Sequence, residues 1–306
     1  MITITRPART QVQWAPVGIF TAIAFAGAYA LDALIAVTGG LGTPVALILI
    51  LLRMFTPALA TVIVCRWITH EKWFPAVNLG RATFTQGRWK TVLGSMMLGT
   101  LMVVLVVSAA TGLAITAGWF SPDWTMSTTF KMLADTGAGE LPSPAVLGIL
   151  LVIQAILAGL TINGIAALGE EVGWRGWLHN ALLPLGPLRM IMATGVIWGL
   201  WHAPLVAMGY NYDHQLPAPL AVLMFTAFCT AFGAILTWLT LCTGSVVPAA
   251  AVHGVFNAFA TLPAVLVAPD DVMDLVWESP LGIPAILLFA VLAVGLFSRR
   301  VKPGVL

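Results

Sequence analysis

Glu170, Glu171 and Arg175, in the stretch ALGEEVGWRGWL at 167–178, are ionisable groups in a chain that is 59% hydrophobic and only 8% charged. Such a group inside an apolar run costs roughly 2.5 to 3.5 kcal/mol on membrane-insertion scales, so it calls for a partner or a task. Two further runs carry groups that do proton chemistry: IWGLWHAPL contains Trp198 and His202, and AAVHGVFNAF contains His253 and Asn257. Residues four apart share a helix face, which pairs Glu171 with Arg175, Trp198 with His202, and His253 with Asn257. Glu170 and Glu171 point about 100° apart on a helix of about 3.6 residues per turn, so they need not share a job. Arg175 then holds Glu171 as a charge-assisted pair and leaves Glu170 free.

The elements that must position these groups are membrane-spanning helices. With 306 residues and a mean hydropathy of +0.97, the chain carries more apolar surface than a soluble domain of its size hides from water. A span needs about 20 mostly apolar residues. Eight stretches qualify, at about 14–38, 44–65, 91–119, 144–168, 190–208, 218–242, 246–267 and 281–298. No period-2 alternation argues for a barrel. With the N-terminus inside, 12 of the 14 basic residues (Arg6, Arg9, Arg66, Lys72, Arg81, Arg88, Lys90, Arg175, Arg189, Arg299, Arg300 and Lys302) fall on the cytoplasmic side. Lys131 alone falls outside, together with eight of the 12 acids. That asymmetry predicts an all-α, eight-transmembrane-helix bundle in the plasma membrane with both termini cytoplasmic.

Span arithmetic puts His253 about 10 Å and His202 about 18 Å below the cytoplasmic end, which predicts a polar cavity in the cytoplasmic half. Gly169, Gly173 and Gly176 allow a helix break or a close helix approach there, and Pro204 kinks the span that carries His202. Asp32 and Arg53 lie at similar depths in neighbouring antiparallel spans and are expected to form an ion pair. His70, His179 and His214 fall in loops or at span ends, where solvation is expected. Trp14, Trp67, Trp73, Trp89, Trp119, Trp124 and Trp277 sit at span ends as interfacial anchors, whereas Trp174, Trp198 and Trp201 are placed to wall the cavity. Cys65, Cys229 and Cys242 suggest packing rather than a disulfide framework. The first apolar run continues past the small-residue stretch AFAGAYA, as a retained helix would. No repeat or linker divides residues 1–306, so a single integral membrane domain is expected. The net charge of +2 gives no reason to invoke nucleic acid.

EEVGWR from Glu170, WGLWH ending at His202 and HGVFN from His253 resemble, in order and separation, the EExxxR, FxxxH and HxxxN motifs of the CAAX-processing and bacteriocin-processing (CPBP, or ABI) intramembrane proteases. That family includes the type II CAAX prenyl endopeptidases. The resemblance covers about residues 144–267 and departs from the pattern at Trp198, where the family usually has Phe. It implies an eight-helix bundle whose cavity opens toward the cytoplasm and laterally to lipid, and peptide hydrolysis as the activity. It also implies that Glu170 and His202 activate a water molecule, that His253 and Asn257 stabilise the oxyanion, and that Glu171 and Arg175 orient the segment behind them.

The resemblance leaves the metal open, because Glu170, His202 and His253 could make a three-ligand zinc site. The sequence lacks an HExxH helix, and Asn257 is a poor zinc ligand, so a cofactor-free site is favoured. The expected substrate is a membrane-associated peptide or protein, prenylated or not, reached from the lipid bilayer. A proton-coupled transporter and a non-catalytic scaffold or immunity protein are the alternatives from other classes.

Overall fold

The computed structural model describes residues 11–79, 89–137 and 140–298, and every regular element among them is helical. In chain order these are α1 (Trp14–Val37), α2 (Pro44–Ile68) and α3 (Trp89–Thr116), then the short amphipathic α4 (Ser127–Asp135) and the 42-residue α5 (Pro144–Leu185). There follow α6 (Pro187–Trp201), α7 (Ala203–Ala207), α8 (Ala218–Thr243), α9 (Val247–Leu266) and α10 (Ile283–Ser298). Among the described residues six helices, α1, α2, α3, α5, α8 and α9, are long and apolar enough to cross a membrane. The positions of the other two expected spans hold α6 and α10, of 15 and 16 residues. The helices are those of an integral membrane protein, with side chains such as Leu47 (69% exposed) and Ile162 (73% exposed) turned outward. Of the seven expected anchor tryptophans, six stand exposed at helix ends or in the turns between helices, while Trp73 is half-buried and donates to Thr61. The three cysteines are unpaired, with Cys65 and Cys229 buried.

Local sequence explains how the helices are shaped around the site. The hydroxyl of Thr43 accepts the Ala46 N–H at 3.2 Å ahead of Pro44, which starts α2 at a defined residue. The first piece of α2 ends at Arg53, and its second begins at Thr56 beside Pro57, whose nitrogen has no proton to donate. The helix of α5 does not break where its glycines could have allowed it. It runs on, with π-helical turns at Gly159–Asn163 and Val172–Leu178. Such wide turns put an extra residue into the helix and re-aim the side chains beyond it. The glycines serve the close approach instead: a Cβ on Gly173 would sit 2.4 Å from Pro57 of α2. The same holds at Gly254 of α9, where an added Cβ would lie 2.3 Å from the Gly159 carbonyl oxygen and 2.4 Å from the Gly164 nitrogen. Backbone contact between α5 and α9 therefore sets the relation of the Glu170 segment to the His253 segment.

The bundle has two distinct ends. One gathers the start of α1, the end of α2, the α5–α6 and α8–α9 junctions and the end of α10; there Asn78 bonds to Asn180, and the Val246 N–H meets the Asn78 carbonyl. The other gathers the segments between α3 and α5, between α7 and α8, and between α9 and α10. Those are tied together by Thr128 to the Val267 carbonyl, Tyr212 to the Leu281 carbonyl at 3.1 Å, and Gln215 to Met273 and Leu275. The charge count predicts the first end inside. Arg6, Arg9, Arg81, Arg88, Arg299, Arg300 and Lys302, on which that count partly rests, lie outside the described residues.

Candidate active site

A single cavity of about 410 Å³ receives Glu170, His202, His253 and Asn257 together, so the three motifs do meet in space. Its walls are the first piece of α2, the first π-turn of α5, the junction of α6 with α7, the first half of α8 and the end of α9. Phe225, Phe228 and Phe232 descend one wall at intervals of about one turn. Phe232 lies about 21 Å below the start of α8, near the middle of that helix. Phe228, Phe232, Phe256 and Phe289 pack into one aromatic cluster, with ring centroids 4.8 to 6.1 Å apart.

Glu170 lies at the bottom, 3% exposed. Its Oε2 accepts the Trp198 indole N–H at 2.7 Å and the Trp174 indole N–H at 3.4 Å. Oε1 accepts no hydrogen bond among the described residues, which leaves one oxygen of a fixed carboxylate for the cavity. Glu171 points away, as the 100° offset predicts, and its Oε1 accepts Arg175 Nη1 at 3.1 Å. The same oxygen takes the Nδ1–H of His253 at 2.9 Å, a contact between helices that the spacing rules do not reach. Glu171 thus orients the His253 ring, and Arg175 lies 4.3 Å over the Trp198 ring, behind the wall.

His202 owes its setting to Pro204. α6 ends at Trp201, and the His202 N–H turns back to the Gly199 carbonyl at 3.0 Å. The Trp198 carbonyl is then open to the His202 ring, whose Nδ1 sits 2.9 Å from it. A carbonyl only accepts, so Nδ1 carries the proton and Nε2 of the neutral ring keeps its lone pair. The Leu200 carbonyl, which Pro204 cannot reach with a donor, takes the Tyr29 hydroxyl at 2.8 Å. Asn257 lines the cavity one turn beyond His253 and is exposed.

Arg53 pairs with Asp32 as expected, Nε to Oδ1 at 2.8 Å with both side chains buried. It does more than that. Its Nη2 donates to the Trp201 carbonyl, its plane stacks 3.6 Å from the Trp201 ring centre, and the side chain lines the cavity. Asn163, Tyr210 and Asn211 also line it, and no motif marked any of the four. Of the three tryptophans expected on the wall only Trp198 lines the cavity. Trp174 and Trp201 are fully buried behind it, because their indoles are turned to Glu170 and to the Ala24 carbonyl. His70 and His214 are exposed as expected. His179 is buried, because α5 continues to Leu185 and carries it into packed surroundings.

No residue of the bundle end that holds Trp14 and Ser298 lines the cavity, whereas Tyr210, Asn211, Ala260, Thr261 and Leu281 belong to the opposite end or border it. The lining residues thus run from mid-bundle at Glu170 toward the end that holds Tyr210 and Leu281. Among the described residues no group of three His, Cys, Asp or Glu side chains is arranged so as to hold a metal ion. One Glu170 oxygen is already held by two indoles, and His253 Nδ1 by Glu171.

Residues 145–259, which bring every one of these motif side chains, match the family model described as type II CAAX prenyl endopeptidase Rce1-like. The chain is also similar to a protein named CAAX prenyl protease 2 from Methanococcus maripaludis, 31% identical over 80 residues. That alignment covers 25% of this chain and 30% of the relative's length. Over this segment the chain is similar to the Rce1-like model, the stretch in which the three motifs lie.

Proposed function

We propose that the protein is an intramembrane endopeptidase that hydrolyses peptide bonds of membrane-associated polypeptides. The observation that carries this is the convergence of Glu170, His202, His253 and Asn257, from three separate helical segments, on one cavity. A water molecule between Glu170 Oε1 and His202 Nε2 meets two proton acceptors. It gives up a proton as its oxygen attacks the peptide carbonyl carbon. The carbonyl oxygen becomes an oxyanion, and Asn257 Nδ2 donates to it beside the His253 ring, which Glu171 holds in place at Nδ1. When the C–N bond breaks, the proton taken from water passes to the leaving nitrogen, which closes the cycle without a cofactor. Leu47, Leu51 and Ile162, on the cavity rim and exposed, leave a lateral approach for a lipid-anchored substrate.

The chain lies in the plasma membrane with its termini and most of its basic residues cytoplasmic. Purified wild type and Glu170→Gln, incubated with a library of membrane-anchored peptides and read by mass spectrometry, test the chemistry. Products from wild type alone are expected, and activity should survive chelation. Equal product from both proteins, or none from either, overturns the proposal; loss on chelation with recovery on adding zinc overturns its cofactor-free form.

A further inference from the structure

We propose that Arg53 carries a separate binding site in the cavity, where one of its N–H groups holds a neutral backbone carbonyl of the polypeptide substrate, away from the scissile bond. This rests on the endopeptidase reading and names a group that grips its substrate.

Arg53 enters the cavity from α2, outside the stretch 145–259 that carries the three motifs. Its planar fork is fixed on every side but one. Nε donates to Asp32 Oδ1 at 2.8 Å, Nη2 donates to the Trp201 carbonyl, and the Trp201 ring covers one face at 3.6 Å. Nη1 donates to nothing among the described residues, yet it is not sealed off as the unpartnered Asp32 Oδ2 is. On a side chain only 2% exposed that lines a cavity, the one free nitrogen faces that cavity. Holding α2 against α1 and α6 uses Nε, Nη2 and the stacked face. The Nη1 hydrogens remain for a ligand.

Charge selects what that ligand is. Asp32 neutralises Arg53 and Arg175 neutralises Glu171, so with neutral histidines the Glu170 carboxylate is the uncompensated charge among the described residues around the cavity. Arg53 lies within electrostatic reach of it. An anionic ligand would meet that repulsion in a medium that screens poorly, whereas an uncharged carbonyl takes the N–H without it. Asn163, Tyr210 and Asn211 line the same cavity, and their side chains make no hydrogen bond among the described residues. Their oxygens can accept the N–H that accompanies each carbonyl along a peptide. Such a set grips main chain, so it positions a substrate without dictating its side chains.

Peptides that the full-length wild type cleaves are remade with one amide at a time, never the scissile one, replaced by a trans-alkene, which keeps the shape and removes the carbonyl. Each analogue is compared with its parent on the same preparation, so a smaller folded fraction cancels, and Glu170→Gln serves as the blank. At one position the alkene should lower the wild-type kcat/KM about 10- to 100-fold, the range of a lost hydrogen bond to a charged donor. In Asp32→Ala with Arg53→Met the same alkene should cost nothing further, while alkenes elsewhere cost both proteins alike. Wild-type indifference to every alkene, or equal penalties in both proteins at every position, overturns the site and leaves the peptidase standing. Should the double variant fail to fold, Arg53→Lys decides instead: it keeps a charge for Asp32 without the fork, and a penalty as large as that of wild type overturns the site. No cleavage of any parent peptide by wild type overturns the peptidase reading, and this site with it.

Discussion

Replacing Gly254 by Ala adds one methyl group beside His253 and should cost more than any comparable change on the lipid face. The new Cβ would lie 2.3 Å from the Gly159 carbonyl oxygen, 2.4 Å from the Gly164 nitrogen and 2.6 Å from the Gly164 Cα, where ordinary contact begins at 3.4 Å. All three are backbone atoms of α5, so no side chain can turn aside, and α9 must retreat by about 1 Å. Overpacking of this kind costs about 1–3 kcal/mol. The larger effect is on geometry: the retreat carries His253 and Asn257 away from Glu170, and a misplacement of about 1 Å costs on the order of 100-fold in rate. Gly148→Ala is the control, because its Cβ meets nothing within 4 Å. Peptide cleavage and thermal unfolding in detergent should show a large loss of kcat and a lowered Tm for Gly254→Ala, with neither changed for Gly148→Ala. A Gly254→Ala protein with wild-type kcat and Tm would refute the claim that the α5–α9 backbone contact sets the site.

Asn257→Ala should lower kcat about 100- to 1000-fold with little change in KM, the signature of a lost oxyanion donor, as single-turnover kinetics would reveal. Asp32→Ala leaves Arg53 buried without its carboxylate and should cost about 3–5 kcal/mol, whereas Asp32→Ala with Arg53→Met should recover part of that in denaturation experiments. Asp123, at the exposed start of α4, accepts the N–H and hydroxyl groups of Thr125 and Ser127, and those bonds hold its carboxyl well below the usual carboxylate range. Its stabilisation is therefore present above the unfolded value near 3.8 and is lost as pH falls below that toward the folded value. Hydrogen exchange at the Ser127 amide should quicken in acid for wild type, and Asp123→Asn should lack that dependence.

Much of the site was legible because its motifs are helical repeats of four, and that spacing alone pairs Glu171 with Arg175. The Asp32–Arg53 bond was legible from depth in adjacent spans. What could not be seen is the register between helices. The His253–Glu171 bond, the two indoles on Glu170 and the place of Arg53 and Tyr210 on the cavity wall follow from glycine contacts and π-helical turns, which leave no periodic trace. The end of α5 was set near 168 because Glu170, Glu171 and Arg175 lower the local hydropathy, yet Arg175 bonds Glu171, and Glu170 the indoles of Trp174 and Trp198, inside a continuing helix.

The wall built by the first piece of α2 lies outside the stretch 145–259 that carries the reacting groups. Arg53, held by Asp32 of α1 and stacked on Trp201, pins this separate panel to the segment that carries the three motifs without sharing them. Exchange of Leu47, Ile50 or Leu51 can reshape what the entrance admits while every atom that handles the proton stays where it was. On the proposed function, selectivity and reactivity would thus be inherited by different lengths of chain, and a lineage could retune what it admits by altering α2 alone.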